Sequence, residues 1–387
     1  MEFDYLWILL LGLPVVFALG WLASRFDLRQ LRIENRQAPK AYFKGLNYLL
    51  NEQQDQAIDA FIEAVQRDPD TSELHFALGD LFRRRGEYER AVRVHEHLLS
   101  RADLSAGDRE RAQYALAQDF FKAGLIDRAE QALRKLAGTG YQPRAWLTLL
   151  TLYERARDWP RAAATAGDLQ QAGQGDFTAR LAHYQCEQAA SALERQKDPA
   201  AARQLLEQAI AAAPGAARPR IQLASLLAGA DDLRGAFEQL ALIEQHAPQA
   251  LPLVASELVR IGQATGQLPR AASLLRRSYA AAPAIDVADA IVQADLAAGI
   301  PAAQARQGYL RHMEQEPSLI AATRWLGHEP FAQEDAHPVV QRSLEHAARP
   351  LARYRCAACG FETQGYFWQC PGCQAWESFP PQRIEEL

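Results

Sequence analysis

The stretch GLNYLLNEQQDQAIDAFIEAVQRDP, Gly45 to Pro69, decides the fold. A small residue, Gly45, opens it; Ala57 follows twelve positions later, Phe61 four after that, and Pro69 closes it. The same frame recurs around Ala91, Ala129, Ala162, Ala202, Ala236 and Ala271, at spacings of 34, 38, 33, 40, 34 and 35 residues. Twelve positions upstream of the later alanines stand Gly79, Ala117, Leu150, Ala190, Ala224 and Val259. Four positions downstream an apolar residue recurs as Leu133, Leu206, Leu240 and Leu275, with His95 and Ala166 as exceptions. Two antiparallel helices approach closely only where side chains are small, and apolar residues three, four and seven apart fill the remaining seam. Proline ends a helix because it lacks the amide donor and clashes with the preceding turn. It does so here at Pro69, Pro214, Pro248 and Pro283.

A period of 33 to 40 residues is that of stacked helix-turn-helix units. In the first unit Gly45, Tyr48, Ala57, Phe61, Ala64 and Pro69, and in the second Leu78, Gly79, Gly86, Tyr88 and Ala91, resemble the tetratricopeptide repeat. Seven units plus a degenerate eighth are expected over residues 39–317, followed by capping helices over 318–350. One helix pair cannot bury its own apolar face, so the units stack. The expected fold class is all-α: a tetratricopeptide-repeat solenoid between an N-terminal transmembrane helix and a small C-terminal rubredoxin-like or zinc-ribbon domain.

Tyr5 to Ser24 is uncharged over 20 residues, enough for a helix to cross a hydrocarbon core of roughly 30 Å. Glu2 and Asp4 precede it, where a cleaved signal peptide would carry positive charge. Residues 1–24 therefore read as a retained anchor. Arg25, Arg29, Arg32, Arg36 and Lys40 follow, which places the body on the cytoplasmic side. Residues 25–38 read as a basic juxtamembrane helix. The net charge of −5 and pI near 6 argue against a nucleic-acid binder.

In the repeat frame, Tyr42, Phe76, Asp80, Arg83, Tyr114, Gln118 and Phe121 fall on first-helix positions that line a groove, as candidate partner-binding residues. The tail, residues 351–387, carries Cys356, Cys359, Cys370 and Cys373 as two C-x-x-C pairs ten residues apart. Each short spacing lets a tight turn bring two thiolates to one metal, and four thiolates mean Zn²⁺ or a single iron. Zinc is the expected cofactor, with iron as the alternative. Four protein ligands leave no open position, so the expected role is structural. Tyr354, Phe361, Phe367, Trp368 and Trp376 are expected to pack around it. No phosphate loop, G-x-S-x-G or H-E-x-x-H occurs, and nothing marks a catalytic site.

Three segments, Tyr42–Phe61, Gly79–Glu87 and Tyr354–Trp376, together with the anchor, resemble the lipopolysaccharide assembly protein B family over the whole chain. The resemblance implies a regulator rather than an enzyme. It implies an inner-membrane adaptor for the protease FtsH that promotes proteolysis of the lipid A deacetylase, and contact with an inner-membrane lipopolysaccharide-sensing protein. A scaffold for another envelope pathway, or an iron-binding electron-transfer protein, are the rival readings. Self-association is left open by the sequence.

Overall fold

The computed structural model describes residues 17–19, 21, 43–327 and 337–387. The expected anchor, the basic helix over 25–38 and Tyr42 lie almost wholly outside the described residues. Among the described residues, no helix is long and apolar enough to cross a membrane.

The described chain is helical up to the tail and divides into two compact units, Met1–Ala156 and Arg157–Leu387. In the first unit a helical stretch over 43–50 is followed by α1 (Gln54–Arg67), α2 (Ser72–Arg85), α3 (Tyr88–Ser100), α4 (Ala106–Lys122), α5 (Ile126–Arg134) and α6 (Gln142–Ala156). The second unit carries α7 (Trp159–Gln171), α8 (Thr178–Ser191), α9 (Pro199–Ala212), α10 (Ala217–Gly229), α11 (Leu233–Ala241), α12 (Ala255–Ala264) and α13 (Leu268–Ala281). It continues with α14 (Ile285–Ala297), α15 (Gln307–Gln315), α16 (Leu319–Leu326) and α17 (His337–Ala348). Within each unit neighbouring helices pack on each other in chain order, as the repeat requires.

All seven frame alanines, Ala57, Ala91, Ala129, Ala162, Ala202, Ala236 and Ala271, have no exposed surface. The upstream glycines show why the frame selects small residues. A Cβ on Gly45 would lie 2.7 Å from the Phe61 ring, and one on Gly79 would lie 2.5 Å from the His95 ring. The period also appears on the surface. Arg128 pairs with Glu96, Arg270 with Glu238 and Arg277 with Glu244, each 32 or 33 residues back. Exposed pairs of this kind add little stability each, and they mark the register rather than hold it.

His95 departs from the apolar frame for a structural reason. It is fully buried, and its Nδ1 lies 2.5 Å from the Oδ2 of Asp119, itself fully buried. Asp119 Oδ1 accepts from Arg83 at 2.8 Å. Arg83 also pairs with Asp80. A polar relay thus joins α2, α3 and α4 where the other units use hydrocarbon. The long interval before Ala202 is taken up by a left-handed turn at Gly173, and by a π-helical stretch, Ala192–Gln196, that extends α8.

Past α13, α14 to α16 share an apolar cluster of Ile285, Val292, Tyr309, Ile320 and Ala321 with Ala348 of α17. The chain then makes one antiparallel hairpin, β1 (Tyr354–Arg355) with β2 (Glu362–Thr363), and folds back onto the helices of the second unit.

Candidate metal centre and groove

Each C-x-x-C pair sits in a tight turn. In the first, Cys356 N–H donates to Phe361 O at 2.9 Å and Gly360 N–H to Cys356 O at 2.9 Å. The second repeats it: Cys370 N–H donates to Ala375 O at 2.9 Å and Gln374 N–H to Cys370 O at 2.8 Å. The residue after the second cysteine is left-handed in both, Gly360 at φ +77° and Gln374 at φ +65°. Glycine adopts this conformation freely, whereas a residue with Cβ is strained in it. Gly372, inside the second turn, is not left-handed, and Gln374 bears the strain instead.

The four sulfurs lie within 4.8 Å of one another. Cys356 and Cys373 are 3.8 Å apart, and Cys359 and Cys370 are 3.7 Å apart. A metal with bonds of about 2.3 Å to four sulfurs at tetrahedral angles requires S–S edges of about 3.8 Å, so the residues fit the ion. Burial works against ionising Cys356, but the Ser378 hydroxyl at 3.2 Å and the N–H groups of Cys359 and Ala358 outweigh it and bring the thiol down to about 6. The Phe361 N–H favours the Cys359 thiolate, yet burial and the three neighbouring sulfurs prevail and push it up to about 12. Four thiolates this close repel one another, and a bound cation removes that conflict. The C-terminal ribbon is a four-cysteine metal-binding module. Cys186 stands apart on α8, where burial pushes its thiol up to about 12, so it is an inert core residue.

The aromatic residues of the tail do not simply surround the sulfurs, as expected from sequence. Trp376 turns to the helices. It stacks on His183 at 4.8 Å between ring centroids, and meets Tyr184 and Trp159 edge-on at 5.9 and 6.1 Å. Trp368 also contacts His183, and Glu377 Oε1 lies 3.1 Å from His183 Nε2. That hydrogen bond holds the Glu377 carboxyl below its ordinary value, against the opposing effect of burial. Phe361 and Phe367 stay exposed, while Tyr354 packs with Tyr366.

The chain end makes contacts that the sequence did not announce. Arg383 forks onto Asp286 at 2.7 and 3.2 Å and lies 4.2 Å over the Tyr354 ring. Glu386 Oε1 accepts from Ile285 N–H at 2.6 Å, at the start of α14. Glu385 Oε2 accepts from Leu319 and Ile320 N–H at 3.1 and 3.2 Å, at the start of α16. Two helix N-termini are thus satisfied by carboxylates 65 to 101 residues away in sequence, with the favourable dipole interaction such ends provide. The available signal was that α14 begins without a capping residue of its own: Ala284 precedes Ile285.

In the first unit, α2, α4 and α6 line a groove of about 420 Å³. Arg83, Tyr114, Gln118 and Phe121 line it, joined by Lys122, Arg144, Leu147, Thr148 and Thr151. Tyr114 Oη lies 3.1 Å from Thr148 Oγ1. Phe76 is not on the open wall. It is 2% exposed, packed in the core beside Leu98 and covered by the Arg111 guanidinium at 4.0 Å. Asp80 is engaged with Arg83. Lys122 and Arg144 were not among the residues picked from sequence: Lys122 is the neighbour of Phe121, and Arg144 lies on the first helix of the next unit.

Comparison with known proteins follows this architecture. Residues 74–110 match the tetratricopeptide repeat, and residues 354–381 match a family described as rubredoxin metal binding domain. Lipopolysaccharide assembly protein B of Escherichia coli K12 is 29% identical over 97% of this chain and 98% of its own. The protein of that name from Haemophilus influenzae is 26% identical over 98% and 99%. Among solved structures, a tetratricopeptide repeat protein from Parabacteroides merdae aligns over 67% of this chain and 99% of its own, with a TM-score of 0.35. With a repeat array, a metal-binding ribbon at its end and an alignment running along almost all of both chains, this chain is similar over nearly its whole length to lipopolysaccharide assembly protein B.

Proposed function

We propose that the chain regulates lipopolysaccharide synthesis as an inner-membrane adaptor that promotes FtsH-dependent proteolysis of the lipid A deacetylase. The alignment with relatives named for lipopolysaccharide assembly, continuous from the repeats through the ribbon, carries this reading. In it, the uncharged run Tyr5–Ser24 is the anchor and the repeats face the cytoplasm. A short tether raises the local concentration of a captured client beside the membrane protease. The groove residues Arg83, Tyr114, Gln118 and Phe121 are the client contact.

Zinc is the ion assigned to Cys356, Cys359, Cys370 and Cys373. When bound, it supplies a cross-link between the two turns and no open coordination position. The ribbon's role is then to hold Trp376, Glu377, Arg383, Glu385 and Glu386 against the helices of the second unit. Metal analysis of the purified chain decides between one zinc and one iron, the latter red in colour. The adaptor reading is tested by depleting the protein and following the deacetylase half-life. A longer half-life that requires the protease to be present supports it; an unchanged half-life refutes it.

A further inference from the structure

The groove of the first unit has an unbalanced charge. Three cations line it, Arg83, Lys122 and Arg144, and no acidic residue does. Arg83 is already committed: it donates to Asp119 at 2.8 Å and to Ala115 O at 3.3 Å, and also pairs with Asp80. Lys122 and Arg144 are different. Both are exposed, and among the described residues neither enters an ion pair. Surface arginines elsewhere in the array have a carboxylate partner, as Arg85, Arg128, Arg270 and Arg277 do. The chain as a whole carries a charge of −5, so this positive groove runs against the protein's own balance.

The space between the cations is amphipathic. Phe121, backed by the Arg155 guanidinium at 4.8 Å, and Leu147, 42% exposed, offer apolar surface. Gln118 lines the same wall with its side-chain amide, and the Thr148 and Thr151 hydroxyls, which donate to Arg144 O and Leu147 O, line it as acceptors. Such a surface fits an extended chain whose side chains alternate between apolar and anionic.

We propose that this groove docks an extended acidic segment of a protein client, with carboxylate side chains meeting Lys122 and Arg144 and an apolar side chain resting on Phe121 and Leu147. The proposal rests on the adaptor reading only in calling the partner a client. It concerns internal carboxylates, so a free C-terminus is not required.

The test uses the full chain in mild detergent and a fluorescein-labelled ten-residue peptide, blocked at both ends, that alternates Glu with Phe and Leu. Its counterpart carries Gln in place of every Glu. The acidic peptide is expected to bind, and the Gln peptide to bind at least about tenfold more weakly. Lys122→Glu with Arg144→Glu is expected to abolish binding and to admit the matching Lys peptide. Binding of the acidic peptide is expected to weaken as salt rises. Arg349→Glu, outside the groove, serves as control and should bind as the native chain does. Failure of the acidic peptide to bind, equal binding of the Gln peptide, or indifference to the double reversal overturns the proposal. Peptide binding and deacetylase turnover are separate readouts. Loss of the first with protease-dependent turnover intact removes this proposal alone; an unchanged half-life on depletion, with peptide binding present, removes the adaptor reading alone.

Discussion

Replacing Asp119 with Leu separates two accounts of the buried relay. Asp119 and His95 have no exposed surface, and the Arg83 side chain is 16% exposed. In the native chain Asp119 gives His95 Nδ1 and Arg83 their shared partner, while His95 Nε2 already lacks one. Removing the carboxylate leaves a buried ring with no hydrogen bond and a mostly buried guanidinium held by Asp80 and the Ala115 carbonyl. Breaking a buried pair from one side costs about 3–5 kcal/mol. Converting both members to hydrocarbon is often close to neutral. This array supplies the template. The position of Asp119 in the frame is occupied elsewhere by buried Leu81, Leu152 and Ile261, and that of His95 by Leu133, Leu206, Leu240 and Leu275. The double variant His95→Leu with Asp119→Leu should therefore recover most of the loss, with a coupling of at least about 2 kcal/mol in the double-mutant cycle. Because the chain has two units, a global melt is not the readout. Hydrogen exchange of the α2, α3 and α4 amides is, and 3 kcal/mol appears there as about a hundredfold faster exchange. A loss below about 1 kcal/mol in the single variant, or a double variant no better than the single, would refute the reasoning.

Three further outcomes follow from the geometry. Gly79→Ala places a methyl group 2.5 Å from the His95 ring, and should lower stability by about 1–3 kcal/mol in the same exchange experiment; native protection would contradict the close approach. Cys370→Ser with Cys373→Ser should reduce bound metal from one equivalent to none and release the chain end. The Ile285 amide, which donates to Glu386, should then exchange faster. Unchanged Ile285 protection in the metal-free variant would show that the end docks without the ion. Glu377 titrates below its ordinary value of 4.5, chiefly through the His183 hydrogen bond. Its contribution to docking is therefore full above pH 4.5 and is lost as the pH falls through its lowered pKa in the folded chain. Trp376 fluorescence should report that loss in the native chain. In Glu377→Gln that acid-side step should be missing, and superimposable pH curves would count against the assignment.

The repeat was legible because its cause is local. A helix pair must bury one narrow seam, so small residues recur at a fixed offset, and all seven alanines proved fully buried. The metal ligands were legible for the same reason: two turns and four sulfurs lie within 18 residues. The rest depended on contacts remote in sequence. Nothing near Trp376 names His183, and nothing near Glu386 names Ile285, 101 residues earlier. Phe76 shared an offset with Tyr114, yet the frame could not tell a wall from a core. Phe76 lies under Arg111 while Tyr114 faces the groove, a difference set by the neighbouring repeat. His95 looked like a break in the pattern, and its partner, the buried Asp119 carboxylate at 2.5 Å, lies one repeat on, outside the unit that shows the break.

Reconstitution tests the central claim most directly. The purified chain, the membrane protease and the lipid A deacetylase are placed together in proteoliposomes with ATP, and loss of intact deacetylase is followed over time. The account predicts faster degradation when the chain is present, and a return to the basal rate when residues 1–24 are deleted. Degradation at one rate with and without the full chain would contradict it.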